Sequence, residues 1–248
     1  MNYLRCNISS NDVFVLKGGK TLDVLMKNLK REIINIEISG GKIMNGALID
    51  SSNEVVVIYN GKKYVYIPTE HIKTFHIDYD NEDNIQQPTV SPSIVTQMNS
   101  HDMSLLQILN QAKGMSVEIF VTSNLSLHGT IVAIRNDYFV FESPVYKTMF
   151  IASKHLKWLI PYTENQSLYD MTKEKQINQT HKDQSTYPSN LSSQIEKLKD
   201  KLVIFNLGEK HSDIGNIKSI NSKMIELVLA DSRLAYSNIT HIKTIQVV

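Results

Sequence analysis

A single cysteine, Cys6, stands in the 248 residues, so an internal disulfide is excluded and a cysteine-based metal site lacks its ligands. The expected state of that thiol is reduced, with crosslinking between chains as the alternative. No apolar run approaches the ~20 residues that a membrane-spanning helix needs, so no membrane partner is expected. Neither sign of charge is in excess, because 26 Lys+Arg face 25 Asp+Glu for a formal net charge of +1. That balance argues against nucleic acid as the main partner, since phosphate-binding surfaces carry a basic surplus. It also suits self-association, because little net charge holds copies apart. The opening Met1-Asn-Tyr-Leu-Arg-Cys6 has no basic stretch followed by a long apolar core, and the chain is expected to stay in the compartment where it is made.

Catalytic signatures are missing too. There is no G-x-S-x-G elbow, Walker-type loop, G-x-G-x-x-G or H-E-x-x-H. Gly18-Gly19-Lys20 and Gly40-Gly41-Lys42 offer two glycines before a lysine, a pattern that ordinary turns explain better than phosphate loops. Neither enzymatic activity nor a cofactor is expected.

What the chain does have is one pattern written three times. A glycine inside an apolar strand is followed by an aromatic-x4-His-h-Lys-x-h segment, where h is apolar. The glycines are Gly46, Gly129 and Gly215; the aromatics Tyr66, Phe150 and Tyr236; the histidines His71, His155 and His241; the lysines Lys73, Lys157 and Lys243. From glycine to histidine the intervals are 25, 26 and 26 residues (46 to 71, 129 to 155, 215 to 241). Near-equal spacing marks a small module copied twice, and copy number favours a scaffold over a single catalytic centre.

The fold class this predicts is mainly β with short α: three tandem Sm-like five-stranded small barrels, each with an N-terminal helix. The boundaries are an N-terminal segment 1–20, modules at 21–77, 102–162 and 190–248, and polar linkers at 78–101 and 163–189. Leu22, Leu25, Met26 and Leu29 recur at helical spacing, as do Leu105, Ile108, Leu109 and Ala112; Leu191, Ile195 and Leu198 keep most of that face. Ser104 with Gln107, and Ser193 with Glu196, have the spacing of capping boxes. Alternation places first strands at Ile34–Ile38, Met115–Val121 and Val203–Leu207. The strand glycine, which costs packing and entropy, predicts a bent or bulged second strand that curls the sheet. Turns at 51–54, 135–137 and 221–223 then lead to third and fourth strands, with the His-h-Lys segments as the fifth.

The histidines are the natural candidates for chemistry. Zinc needs three or four ligands at ~2.1 Å, and each module supplies one repeated His with no recurring acidic partner. The simpler reading seats each imidazole at the turn into the last strand, bonded to a backbone group. Lys73, Lys157 and Lys243, beside Tyr66, Phe150 and Tyr236, could form a basic and aromatic surface that stacks single-stranded bases. The simpler reading is a solvated lysine on an edge strand, where it also discourages stray pairing.

In His71-Ile-Lys73-Thr-Phe75, His155-Leu-Lys157-Trp-Leu159 and His241-Ile-Lys243-Thr-Ile245 the sequence resembles the spore coat protein B family of endospore-forming, Bacillus-type bacteria, whose tandem modules end in His-h-Lys-Ser-Ile. The resemblance runs from about Leu22 to Val248. The family's Gly-Gly-Pro after the first strand is partly kept as Gly40-Gly41, reduced to Gly208 in the third module and lost in the second, so no loop-specific role is carried over. Functions of the Ser/Lys-rich C-terminal tail of some members are not carried over either. The resemblance implies a structural coat component, made in the mother cell and deposited on the forespore, with other coat proteins as partners. The expected physical route is homo-oligomerisation through edge strands around Ile72, Leu156 and Ile242. The alternative is an Sm-like RNA-binding protein; for that chemistry the chain offers Asn53 and Asn136 but Ser222, and no Arg-Gly in any module.

Overall fold

The computed structural model describes residues 25–26, 28–92, 94, 103–122, 125–162, 168–170 and 186–248. Cys6, Leu22 and the Gly18–Lys20 run fall outside them. The chain divides into two compact units, Met1–Leu105 and Leu106–Val248.

The first unit holds one repeat. Its strands are β1 (Ile33–Ile38), β2 (Lys42–Ser51), β3 (Val55–Tyr59), β4 (Tyr64–Pro68) and β5 (Ile72–Ile77). All pairings are antiparallel, in the order β4-β3-β2-β1-β5, so β5 ends the sheet. In β1 the side chains of Ile34, Ile36 and Ile38 are fully buried while their neighbours are half-buried, as period-two alternation requires. Of the predicted first helix, Leu25 and Met26 are helical, and Met26 is fully buried.

The second unit holds two repeats. One comprises α1 (Leu105–Ala112, which begins at the boundary), β6 (Ser116–Phe120), β7 (Leu127–Ile134), β8 (Tyr138–Ser143), β9 (Lys147–Ala152) and β10 (Trp158–Pro161). The other comprises α2 (Leu191–Glu196), β11 (Leu202–Phe205), β12 (Ile214–Asn221), β13 (Met224–Val228), β14 (Leu234–Asn238) and β15 (Thr244–Val247). Each again has fourth, third, second, first and fifth strands side by side, and β9 pairs with β15 to join the two into one antiparallel ladder. The helix faces are those the spacing predicts: Ile108, Leu109 and Ala112 are buried in α1, and Leu191 and Ile195 in α2 with Leu198 just beyond it. Burying such side chains contributes about 1.5–3 kcal/mol each for the larger ones, enough to hold helices too short to persist alone.

The repeated glycines share one structural duty. Gly46, Gly129 and Gly215 each pair with a first strand, opposite Ile34, Val117 and Val203. Three residues later comes a register shift, between Leu48 and Asp50, Ile131 and Ala133, Ile217 and Ser219. An added Cβ at Gly129 would lie 2.2 Å from the Glu142 carbonyl oxygen, and at Gly215 2.8 Å from that of Val228. The second strand thus bends so sharply at this point that the third presses against its backbone, and the bulge completes the turn.

Three expectations are corrected. The strands do not close within a repeat: β9 bonds β15 rather than its own β10, so the sheet of the second unit is open and runs across repeats. The first strand of the third repeat stops at Phe205 instead of Leu207, because Asn206 and Leu207 take left-handed φ values of 48° and 62° in a tight turn. The helix cap of that repeat is Asn190, whose Oδ1 accepts from Ser193 N at 2.8 Å, rather than Ser193 with Glu196. Within the polar stretches between repeats, Ile85 is buried with its amide on Asn81 Oδ1 while Tyr79 and Val90 are exposed, and Tyr187 and Ser189 accept from Arg135 and Asn136 in the turn before β8.

Gly129→Ala should lower the midpoint of denaturant unfolding by the equivalent of about 2 kcal/mol, within the range for overpacked sites, because a carbonyl rather than a flexible side chain must yield. Chemical denaturation followed by circular dichroism measures it, and Gly46→Ala, whose Cβ meets its neighbours at 3.0 Å, should cost less.

Candidate functional site: the junction between the second and third repeats

The junction begins as a backbone ladder. Thr244 faces Ile151, Ile245 faces Phe150 and Gln246 faces Met149, while Ala152 N donates to the Lys243 carbonyl at 3.0 Å. Ile151 and Ile245 are fully buried and Phe150 is 5% exposed. Behind the ladder the two repeats share one core: Tyr138, Val140, Phe150 and Ala152 pack with Ile195, Phe205, Leu227, Ile242 and Ile245. Phe150 meets Tyr138 and Tyr187 edge-on, with ring centroids 6.1 and 5.9 Å away.

Polar contacts lock this register from both sides. His155 ends the 3-10 turn Ser153–His155, and its Nε2 lies 3.1 Å from the Thr240 carbonyl of the next repeat, which calls for the ring proton on Nε2. Lys243 Nζ donates to Thr122 Oγ1 at 2.9 Å, and that hydroxyl donates to Glu209 at 3.0 Å, so a chain of three side chains crosses the seam. Asn206 Oδ1 accepts the Lys243 amide at 2.8 Å. Beside the sheet, Asp137 accepts the amide of Leu191 at the start of α2, Arg135 Nε donates to the Tyr187 carbonyl, and the Tyr138 hydroxyl donates to that of Pro188 at 2.7 Å. Burial pushes the Tyr138 hydroxyl up to about 12 and raises Tyr187 and Tyr162 as well.

The repeated signature residues do not occupy equivalent surroundings. Tyr66 and Phe150 are buried, whereas Tyr236 is 62% exposed on β14, its hydroxyl reaching Glu226. His71 ends the turn Thr69–His71 with Nδ1 3.1 Å from Ser39 Oγ, while His241 is exposed at the end of Ile239–His241. Lys73 pairs with Glu37, which holds that carboxyl below its ordinary range; Lys157 Nζ lies 5.6 Å from the Phe120 ring centroid. With two of three aromatics inside the core, no repeated aromatic and lysine surface faces solvent. Among the described residues, no group of three or more His, Cys, Asp and Glu could hold a metal ion.

Sequence reasoning passed over Thr122, Asn206, Glu209 and Thr240, and it placed Asp137 in a turn without its bond to the Leu191 amide. Only Asn206 carries a signal, a turn-forming residue shortly before Gly208 where alternation predicts that the strand continues.

A family model described as the YwrJ third domain matches residues 190–245, the third repeat. The chain is also 32% identical over 219 residues to the uncharacterized protein YwrJ of Bacillus subtilis (strain 168), an alignment spanning 85% of this chain and 93% of that protein. The chain belongs to the YwrJ family. Coat protein B is named by neither match, so what stands is a family with a Bacillus member. In this YwrJ-family chain, the segment recognised as a separate domain ends on the strand that completes the junction.

Two measurements test the geometry. His155→Ala should destabilise the second unit by about 1 kcal/mol through loss of one hydrogen bond, and His241→Ala, at an exposed ring, should leave stability nearly unchanged; urea titration of each variant checks this. A tyrosine raised in the folded state releases its proton later than in the unfolded chain, so its stabilising contribution is present below pH ~10 and is lost as pH rises through about 12. Alkaline unfolding followed by circular dichroism should therefore shift to higher pH in Tyr138→Phe, measured relative to that variant's own neutral stability.

Proposed function

We propose that this chain is a non-enzymatic structural component of the bacterial spore coat, its repeats being Sm-like small β modules that act by self-association and by binding other coat proteins. The observation that carries the reading is the β9 to β15 ladder, in which two repeats are joined edge to edge by backbone hydrogen bonds over a shared core. An edge that bonds through its main chain can accept any compatible strand, which is the route by which sheet proteins extend into assemblies. Near-zero net charge favours the same behaviour. The coat assignment draws on the His-h-Lys resemblance together with a relative from Bacillus. No helix among the described residues is long and apolar enough to cross a membrane.

A fluorescent fusion expressed from the native promoter in sporulating cells should collect as a shell around the forespore, and sedimentation velocity of the purified chain should show species heavier than 28.2 kDa that grow with concentration. Fluorescence spread evenly through the mother cell would remove the coat assignment. A strictly monomeric chain at high concentration would remove self-association.

A further inference from the structure

Within the second unit, the fourth strand of one repeat binds the fifth strand of the next; β14, a fourth strand, lies at one end of that unit's sheet, and β5, a fifth strand, at one end of the first unit's. We propose that β14 of one copy pairs antiparallel with β5 of a second copy, a head-to-tail junction in the register of β9 with β15. The inference rests on the assembly reading above and names its surface and partner.

The argument starts from residues at equal positions in the repeat. Phe150, on the paired strand β9, is 5% exposed; its counterpart Tyr236, on β14, is 62% exposed. His155 reaches a carbonyl of the neighbouring repeat, whereas its counterpart His241 is exposed. Leu234 on β14 is also 45% exposed. Natural edge strands are usually blunted by lysine, proline or a bulge, and Leu234-Ala-Tyr-Ser-Asn238 has none of these.

The amides agree in phase. Ile239 N donates to the Lys223 carbonyl, and antiparallel pairing alternates, so the amides of Ala235 and Ser237 face β13 while those of Tyr236 and Asn238 face outward. On the other edge, Asp78 N donates to the Ile33 carbonyl, so Thr74 and His76 turn toward β1 and the amides of Phe75 and Ile77 point out. Carrying the internal register over by repeat position sets Thr74 opposite Ser237, Phe75 opposite Tyr236 and His76 opposite Ala235. The Asn238 amide then meets the Lys73 carbonyl, as Ala152 meets Lys243, and the His241 ring meets the Glu70 carbonyl, as His155 meets Thr240. The contact is heterologous, with different surfaces on the two copies, and each added copy again presents one β5 and one β14 at the ends of the array.

The test uses the full chain with Cys6→Ser. Thr74→Cys and Ser237→Cys correspond to Thr244 and Ile151, a non-hydrogen-bonded pair whose Cα atoms approach to ~4.5 Å in such ladders. After mild oxidation, an equal mixture of the two single-cysteine proteins should give a disulfide dimer on non-reducing gels, at a yield at least several-fold above either protein alone. Tyr236→Pro removes an outward amide and the exposed hydroxyl bond to Glu226 while keeping the backbone bonds to β13, and it should reduce the large species in sedimentation while circular dichroism stays unchanged. No dimer from the mixture, or equal dimer from each variant alone, overturns the junction. If the wild-type chain nevertheless sediments as multimers, self-association stands and only this surface is wrong; a monomer at every concentration overturns both.

Discussion

The demand of a strand edge for hydrogen-bond partners governs this molecule. A five-stranded repeat ordered fourth, third, second, first, fifth has two edges, each presenting a row of amides and carbonyls that must be satisfied by water or by another strand. Closing the sheet upon itself would use both edges. Here β9 and β15 satisfy each other across repeats instead, and the apolar residues flanking them gain a shared core in the same step. A repeat this small has little interior of its own, so the joint doubles as core and as connection.

The bend in each second strand makes the joint geometrically available. Gly46, Gly129 and Gly215 let the third strand approach the second backbone closely, and the bulge three residues on adds twist. At the joint, Leu191 and Ile195 of α2, with Leu198 just beyond it, share one core with Val140, Phe150 and Ala152 of the preceding repeat. In β8 every residue from Tyr138 to Ser143 is buried, the signature of a strand covered on both faces.

Much of this was legible in the residues themselves. Alternation in β1 and β6, the apolar faces of α1 and α2, and the glycines before the bulges follow from periodicity and from the lack of a Cβ, both local properties. What stayed hidden is non-local. Nothing in Phe150 and Tyr236 as letters says that one will be covered by β15 and the other left in solvent, because the pairing of β9 with β15 joins strands far apart in sequence. Asp137 read as a turn residue, which it is; that its carboxylate also caps α2 depends on a contact 54 residues away in sequence. Leu207 looked like strand because its alternation continued, yet the Asn206 side chain, by accepting the Lys243 amide, fixes a turn that alternation cannot express.

The Tyr187–Leu191 segment, tied to Arg135, Asn136, Asp137 and Tyr138, bears on how the polypeptide should be divided. A boundary drawn just before residue 190, where the family model begins, would cut the third repeat away from Asp137, which accepts the Leu191 amide, and from the strand that covers Ile245. Sequence kinship delimits that segment as an evolutionary unit, while the compact structural unit is the pair of repeats with their shared core. Inheritance and packing therefore have different borders in this chain, and gene fusions or truncations preserve the shared core only when they keep the second and third repeats together.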